Sequence, residues 1–389
     1  MQNLPLTETI RGRALDLGFE RVGFAPAGPA ARAALFRRWL DRGFHGEMDY
    51  LARKPEARSD PTVRDGWARS VVSVGMNYLP ERRGWADAPG VLGRIARYAA
   101  GGDYHVVMKE RLGQLLRFVQ AERPGTRGRI AVDTSAVLER DVAEAAGVGW
   151  AGKNTLVIDP ALGSWFFLGE LILDCELGYA APAEDRCGTC RACLDACPTG
   201  AILEERVLDA TRCISYLTIE LRDGIPRDLR SRVGGHLFGC DICQEVCPWN
   251  RDAPSSKEPA FRPNAAWEST SLADLARLTE EAFRESFAAT ALRRAGRRGL
   301  VRNALVVAAN TADAPGLDAA AGALFDPDPV IRGTAAWALG RRGGRRDTLE
   351  RALGREPDDT VREEISAALG DQGSTGISIS KEDPVTRTG

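Results

Sequence analysis

Apolar and polar positions along the chain fall into three successive patterns. Up to about residue 180, strand-like and helix-like stretches interleave. Residues 70–76 form a β-branched run suited to a buried strand, and 105–122 carry Val107, Leu112, Leu115, Leu116 and Val119 at helical spacing. Residues 11–17 read as a helix, 129–132 as a strand, 135–146 as a helix, and 155–158 and 165–173 as two further strands. Asp133 then falls at the carboxyl end of a strand and the start of a helix, where open α/β sheets place their ligands. From 187 to 250 the pattern gives way to cysteines among short helices and loops. After a Pro- and Ser-rich linker at 251–263, the remainder is Ala-, Leu- and Arg-rich and helical. It also recurs every 30 residues: Val301-Arg302, Ile331-Arg332 and Val361-Arg362, with Pro327-Asp328 returning as Pro357-Asp358. Such a period predicts stacked helix pairs of the HEAT type, each burying its neighbour's apolar face. The expected domains are an α/β unit at 1–180, a cysteine module at 181–255, an all-α repeat unit at 264–370 and a disordered tail at 371–389.

Composition narrows the choices. A chain of 389 residues, 44% apolar and 27% charged, supports two or three domains with real cores, which excludes a disordered or fibrous protein. With 52 Lys and Arg against 54 Asp and Glu, the net charge of -2 attracts no polyanion globally, so any nucleic acid must meet local patches. There is no basic-then-apolar leader and no apolar run of the roughly 18 residues a membrane span needs. A soluble, cytoplasmic chain without a membrane partner is expected.

Eight of the nine cysteines lie between Cys187 and Cys247, while Cys175 stands apart. Clustered thiols in a chain of this kind more often hold metal than form disulfides. Cys187-x2-Cys190-x2-Cys193-x3-Cys197-Pro198 is the spacing of bacterial two-cluster ferredoxins, in which the fourth thiolate serves the other cluster. Cys213, 26 intervening residues, then Cys240-x2-Cys243-x3-Cys247-Pro248 repeat it with an insertion. By that logic one 4Fe-4S cluster takes Cys187, Cys190, Cys193 and Cys247, and the other takes Cys197, Cys213, Cys240 and Cys243. Two four-thiolate zinc sites are the alternative, but zinc more often uses separated Cys-x-x-Cys pairs and leaves the two Cys-x3-Cys-Pro endings unexplained. Cys175 is expected to be a buried core thiol.

Two clusters deliver single electrons, yet no Gly-x-Gly-x-x-Gly fingerprint or Walker loop is evident in the first 180 residues to receive them. Several strings there and beyond are specific: Met48-Asp-Tyr-Leu51 with Arg58 and Asp60-Pro61, Arg97-Tyr98 with Gly102-Asp-Tyr-His105, Val132-Asp133-Thr134 and Gly149-Trp-Ala-Gly-Lys-Asn-Thr155. Cys213-Ile-Ser-Tyr-Leu-Thr-Ile-Glu220 and Gly239-Cys-Asp-Ile-Cys-Gln-Glu-Val-Cys-Pro-Trp-Asn250 complete the set. On these strings, residues 1–370 resemble the cobalamin-dependent epoxyqueuosine reductases, iron-sulfur enzymes of tRNA modification related to the reductive dehalogenases. The resemblance implies a cobalamin between the α/β unit and the cysteine module, reduced through the clusters by a separate low-potential electron donor. It also implies removal of the epoxide oxygen of epoxyqueuosine at the tRNA wobble position, the last step of queuosine biosynthesis, by a chain acting as a monomer. A cofactor must carry such chemistry because no side chain does low-potential redox.

By the same resemblance Asp133 is the general acid, and Arg58, Arg97, Asp133, Lys153, Asn154, Val157, Leu168, Ser215 and Asp241 contact the cofactor. An ordinary carboxyl is a poor donor at neutral pH, so this role predicts a raised pKa through burial beside the corrin. Asp133 with Thr134 and Ser135 also suits a helix N-cap. His105 lies in Asp103-Tyr-His105, but Met108 stands where the Asp-x-His-x-x-Gly cobalt-ligand motif has glycine. A cobalamin without a protein lower ligand, base-off, is expected. For tRNA phosphates the candidate patch is Arg222, Arg293, Arg294, Arg297, Arg298 and Arg302, joined by Arg341, Arg342, Arg345 and Arg346 if the stacked repeats align them. The same arginines also suit a solvated helix face. A small-molecule, dehalogenase-like cobalamin reductase and a non-catalytic electron carrier are the competing functions; the repeat unit argues against the first, and failure to bind cobalamin would favour the second.

Overall fold

The apolar run at 70–76 becomes the inner strand of a four-stranded sheet. The structure is a computed structural model describing residues 4–81, 93–264, 270–343 and 345–371. In it β1 (Arg21–Pro26), β2 (Ser70–Asn77), β3 (Gly128–Ala131) and β4 (Phe166–Leu173) align in the order β1-β2-β4-β3. Every pairing is antiparallel, with Glu170 opposite both Ser73 and Ala131. The rule for ligands at open α/β strand ends therefore does not govern Asp133; the loop after β3 sets its place.

Helices α1 (Leu4–Asp16) and α2 (Tyr104–Glu122) cover one sheet face. Met108, Leu112, Leu115 and Val119 form the buried stripe of α2, packing with Ile10 and Ala14 against Phe24, Val72, Val74 and Leu171. Each of the large side chains stabilises the fold by roughly 1.5–3 kcal/mol through burial. Cys175 lies in this core, as expected of an isolated thiol. The opposite face carries α3 (Glu139–Ala145). This helix begins at Glu139, not at residue 135, and residues 133–138 form a loop. Its N-cap is Leu138, with no side-chain cap, while Asp133 has a left-handed φ of 47°; Asp133 does not cap a helix.

The stretch read as a linker is a strap on the first core. Asn77 Nδ2 donates to the Pro254 carbonyl at 2.8 Å, Ser256 N to that of Leu79 at 2.7 Å and Gly102 N to that of Ala260 at 2.8 Å. Phe261 is buried against Phe167, with ring centroids 5.1 Å apart. Its Pro and Ser content suggested solvent, but one aromatic anchor decides the outcome.

The 30-residue period is realised by α5 (Gly296–Thr311), α6 (Ala314–Ala323), α7 (Pro329–Arg342), α8 (Arg346–Leu353) and α9 (Asp359–Asp371), preceded in the cysteine module by α4 (Ile214–Ile219). Val301, Ile331 and Val361 are buried on α5, α7 and α9. The recurring Pro-Asp is a helix start: Asp328 accepts from Val330 N and Asp358 from Val361 N. The tail expected to be disordered lies, from 372 onward, outside the described residues. No helix among the described residues is long and apolar enough to cross a membrane.

Arg302 was expected on a tRNA-facing patch and is instead fully buried. Its guanidinium donates to the carbonyls of Leu217 (2.6 Å), Leu221 (2.8 Å) and Asp223 (2.6 Å) at the carboxyl end of α4, and Asn303 donates to those of Thr218 (2.8 Å) and Leu237 (2.9 Å). Helix ends leave carbonyls without partners, and here the repeat unit supplies the donors. Cys213 sits at the other end of the same helix, so the repeats brace the cysteine module. Arg302→Ala is expected to cost about 3 kcal/mol or more by leaving two buried carbonyls and a part-buried third unpaired, whereas Arg298→Ala should fall within about 0.5 kcal/mol. Denaturant midpoints of the two variants measure the contrast.

Candidate functional site

The eight cysteines separate into two rings. Cys187, Cys190, Cys193 and Cys247 line one small cavity of about 40 Å³, and Cys197, Cys213, Cys240 and Cys243 line part of a second, of about 410 Å³. This is the crossed partition that the spacing implies, with the last cysteine of each motif lent to the other ring. Short helices Ala192–Asp195 and Ile242–Glu245 pack together and carry Cys193 and Cys243. Among the described residues no group of three or more His, Cys, Asp or Glu side chains is arranged to hold a single metal ion. Donors already point at sulfur, Trp150 Nε1 at Cys187 Sγ (3.4 Å) and Ala201 N at Cys197 Sγ (3.3 Å), a contact type that tunes cluster potential.

The larger cavity is lined both by the second ring and by Asp133. Val157, Phe166, Leu168 and Ile219 give it apolar walls, while Asn154, Ser215, Asp241 and Arg140 give it polar ones. A second cavity of about 410 Å³, lined by Arg58, Trp39, Met48 and Arg206, adjoins it across Glu139, Arg140, Thr155 and Leu208. Of the expected cofactor contacts, Asp133, Asn154, Val157, Leu168, Ser215 and Asp241 line the main cavity and Arg58 the adjoining one. Two do not reach either. Lys153 bonds the Gly188 carbonyl and Glu205 (both 2.7 Å) and lines the small thiol cavity. Arg97 pairs with Asp241 and Glu245, its backbone N–H donating to Asp241 Oδ2 at 2.7 Å. Both are long cations drawn to nearby acceptors, which a motif cannot reveal.

Asp133 belongs to a charged chain. Asp103 caps α2, accepting from His105 N (3.0 Å) and Nδ1 (2.8 Å), and Arg293 reaches its other oxygen at 3.1 Å. His105 Nε2 is 3.1 Å from Asp133 Oδ2. Tyr104 stacks on both Phe167 and His105, fixing the ring's position. Burial disfavours the imidazolium, but Asp103 and Asp133 outweigh it and bring the His105 pKa up to about 9. Burial likewise pushes the Asp133 carboxyl up, yet its bond to His105 and that ring's charge hold it below the ordinary carboxylate value. The expected raised pKa is therefore not found: at neutral pH the proton resides on His105, beside an ionised Asp133 whose side chain is 55% exposed to the cavity. Both ring nitrogens are committed to carboxylates.

The loop bearing Asp133 is held from below. Arg58 Nη1 donates to the Ser135 carbonyl (3.1 Å) while its own carbonyl accepts from Leu138 N (3.1 Å), and Asp133 N donates to Glu139 Oε1. Glu139 and Glu170 were missed from the sequence, although an acid inside the apolar strand FFLGELIL was a visible signal. The arginine patch is divided. Arg294 pairs with Glu220 and lies 5.3 Å from the Tyr50 ring centroid; Arg297 and Arg298 pair with Asp326 and Asp328; Arg222 caps carbonyls of Ile219 and Ala295. Arg342 bonds the Ala309 and Asn310 carbonyls at the opposite end of α5, about 18 Å from Arg297 at ~1.5 Å per residue. Parallel stacking of α5 and α7 puts the two groups at opposite ends, not on one side.

Comparison with known proteins adds three matches along the chain: the epoxyqueuosine reductase QueG family (DUF1730) at residues 58–134, a 4Fe-4S double cluster binding domain at 186–250 and HEAT repeats at 286–370. Epoxyqueuosine reductase of Pseudomonas aeruginosa is 42% identical over 342 residues, 87% of this chain and 95% of that one. The Escherichia coli enzyme is 38% identical over 344 residues, covering 88% and 91%. A crystal structure of epoxyqueuosine reductase with an epoxyqueuosine-modified tRNA-Tyr stem loop superposes with a TM-score of 0.88 at 32% identity, over 95% of this chain and 99% of that one. A Bacillus subtilis epoxyqueuosine reductase, solved with its catalytic aspartate loop swung out of the active site, gives 0.86 at 32% identity, over 94% and 99%.

Proposed function

Since this chain belongs to the epoxyqueuosine reductase family, we propose that it reduces epoxyqueuosine in tRNA to queuosine in the cavity between Asp133 and the second thiol ring. The observation that carries the reading is one cavity lined both by Asp133, the partner of His105, and by the four thiols of the second ring. Converting the epoxide to an alkene takes up two electrons and two protons and releases water. Both thiol rings fit 4Fe-4S clusters, and the adjoining cavities, lined by Val157, Phe166 and Leu168 and by Asn154, Ser215 and Asp241, offer a corrin both apolar and polar partners. When bound, cobalamin would supply a low-potential cobalt centre; His105 is engaged on both ring nitrogens by Asp103 and Asp133.

The chain's own groups provide the proton. Epoxide opening creates an alkoxide that needs a general acid. His105 stores a proton at neutral pH and Asp133, 3.1 Å away and open to the cavity, passes it on. Arg58 and Glu139 hold the loop that aims Asp133. Val157 and Leu168 exclude water from the apolar wall; Asn154, Ser215 and Asp241 orient polar groups of whatever fills the cavity.

The division of labour follows the expected domains, with 1–180 binding substrate and cofactor, 181–255 carrying electrons and 264–370 bracing them. A tRNA stem loop is placed by Arg222, Arg293, Arg294, Arg297 and Arg298, with Arg302, buried in the fold, removed from the set. Arg294→Ala should lower the salt slope of stem-loop binding by about 1, the loss of one phosphate contact. A dehalogenase-like small-molecule role is not favoured, because the relatives that match over most of the chain are epoxyqueuosine reductases. The function is tested by anaerobic incubation of reduced protein with epoxyqueuosine-containing tRNA and mass spectrometry of the digested nucleosides. Loss of one oxygen supports it; an unchanged nucleoside with clusters and cobalamin in place overturns it.

A further inference from the structure

The hairpin formed by Trp150–Ala151 and Val157–Ile158 belongs to the α/β unit, yet two of its side chains serve the first thiol ring. Trp150 pairs with Ile158 across the hairpin, a close approach that Gly149 permits, since a Cβ there would stand 2.4 Å from the Ile158 carbonyl oxygen. The indole is buried and held edge-to-face by Trp249, with ring centroids 5.0 Å apart, and its Nε1 donates to Cys187 Sγ at 3.4 Å. Lys153 lies in the turn, which Arg206 ties to the cysteine module: Arg206 N donates to the Lys153 carbonyl (3.0 Å) and Arg206 Nε to that of Ala151 (2.9 Å). Lys153 is 5% exposed and lines the cavity of Cys187, Cys190, Cys193 and Cys247, its Nζ donating to the carbonyl of Gly188, the residue after Cys187. Its carboxylate partner, Glu205 at 2.7 Å, is half exposed, so water screens the pairing and the buried charge is offset in part. Cys197 Sγ of the second ring is met from within the module instead, by Ala201 N at 3.3 Å and Thr199 Oγ1 at 3.6 Å.

We propose that Trp150 and Lys153 raise the reduction potential of the 4Fe-4S cluster held by the first ring, so that the hairpin lining the larger cavity through Asn154, Thr155 and Val157 also sets how readily that cluster takes an electron. One electron makes a four-thiolate cluster more negative. An N–H aimed at a sulfur and an ammonium in a low-dielectric wall both stabilise the added charge, and such outer contacts are how a protein tunes a cluster of fixed ligands. The electron comes from a low-potential one-electron donor and moves on to the second ring; no bond forms or breaks. Trp150 and Lys153 act through the cluster and are positioning residues. Glu205, on the solvent side of Lys153, works against them, because a carboxylate beside the ammonium cancels part of its field.

The inference rests on the first ring holding a 4Fe-4S cluster, and the iron content of each variant separates failure of that reading from failure of this one. The test is a redox titration of the full-length, cluster-loaded protein followed by EPR of the reduced clusters, in which the first ring's wave is the one lost in Cys190→Ala. W150F keeps an aromatic ring and removes the N–H; K153Q keeps the length and removes the charge. In each, the first ring's wave should move down by about a tenfold change in the oxidised-to-reduced ratio at a fixed potential, about 59 mV for one electron. E205Q uncovers the ammonium and should move the same wave up. The second ring's wave should stay in place in all three. Should W150F lose iron through altered packing, K153Q and E205Q carry the same test. With the iron of two clusters retained, an unmoved first wave in W150F or K153Q, equal movement of both waves, or a downward shift in E205Q overturns the proposal.

Discussion

Asp133→Asn should lower kcat for epoxide reduction by about 10²–10⁴-fold, the usual contribution of a general acid, with cluster absorbance and cobalamin content unchanged. The substitution isolates chemistry from conformation. Asparagine is among the few residues that tolerate a left-handed φ, so the loop conformation at 47° survives. Its amide N–H to Glu139 and its contact with His105 persist in shape. What disappears is the capacity to take a proton from the imidazolium and pass it to an alkoxide. Because the stored proton sits on a group with pKa of about 9, the wild-type rate should be flat through neutrality and fall only under basic conditions, where the couple loses its proton. Retained turnover in Asp133→Asn would remove the carboxyl from catalysis.

The second large effect concerns the crossed thiol rings. Cys197→Ala and Cys247→Ala should each abolish turnover, and each should leave about half the iron, since each removes a ligand of one 4Fe-4S cluster. Pairing the substitutions reveals the assignment. Cys197→Ala with Cys213→Ala should lose no more iron than either alone, because both line the larger cavity; Cys197→Ala with Cys193→Ala should lose nearly all, because they line different ones. Cys175→Ala, in the sheet core, should keep full iron. Iron assay of the soluble protein decides the matter; additive loss for Cys197 with Cys213 would contradict the crossed arrangement.

These rings were legible from spacing alone, since ligand geometry is imposed by a cluster and is written into short, local intervals. The repeat was legible for a related reason: Val301, Ile331 and Val361 recur because identical helix pairs bury identical positions. What failed to read were features decided by distant partners. Arg302 looks like its neighbours in an arginine-rich helix, but its partners are carbonyls some 80 positions earlier in the chain. The start of α3 was placed at 135 because Asp, Thr and Ser favour caps, whereas Arg58, Glu139 and His105 pull the segment into a loop. Asp133 was singled out as a candidate through its motif, while the proton's residence on His105 depends on two carboxylates, Asp103 and Asp133, that converge only in the folded chain.

The central claim is that this cavity reduces epoxyqueuosine with cobalamin fed from the thiol-bound clusters. Its most direct test is a cobalamin titration of cluster-loaded, cobalamin-free protein under anaerobic conditions, with reductant and epoxyqueuosine-containing tRNA, read as queuosine formed per protein. The account predicts no queuosine without cobalamin and a rise that saturates near one cobalamin per chain. Queuosine formed without cobalamin, or none at saturation with the clusters intact, would contradict it.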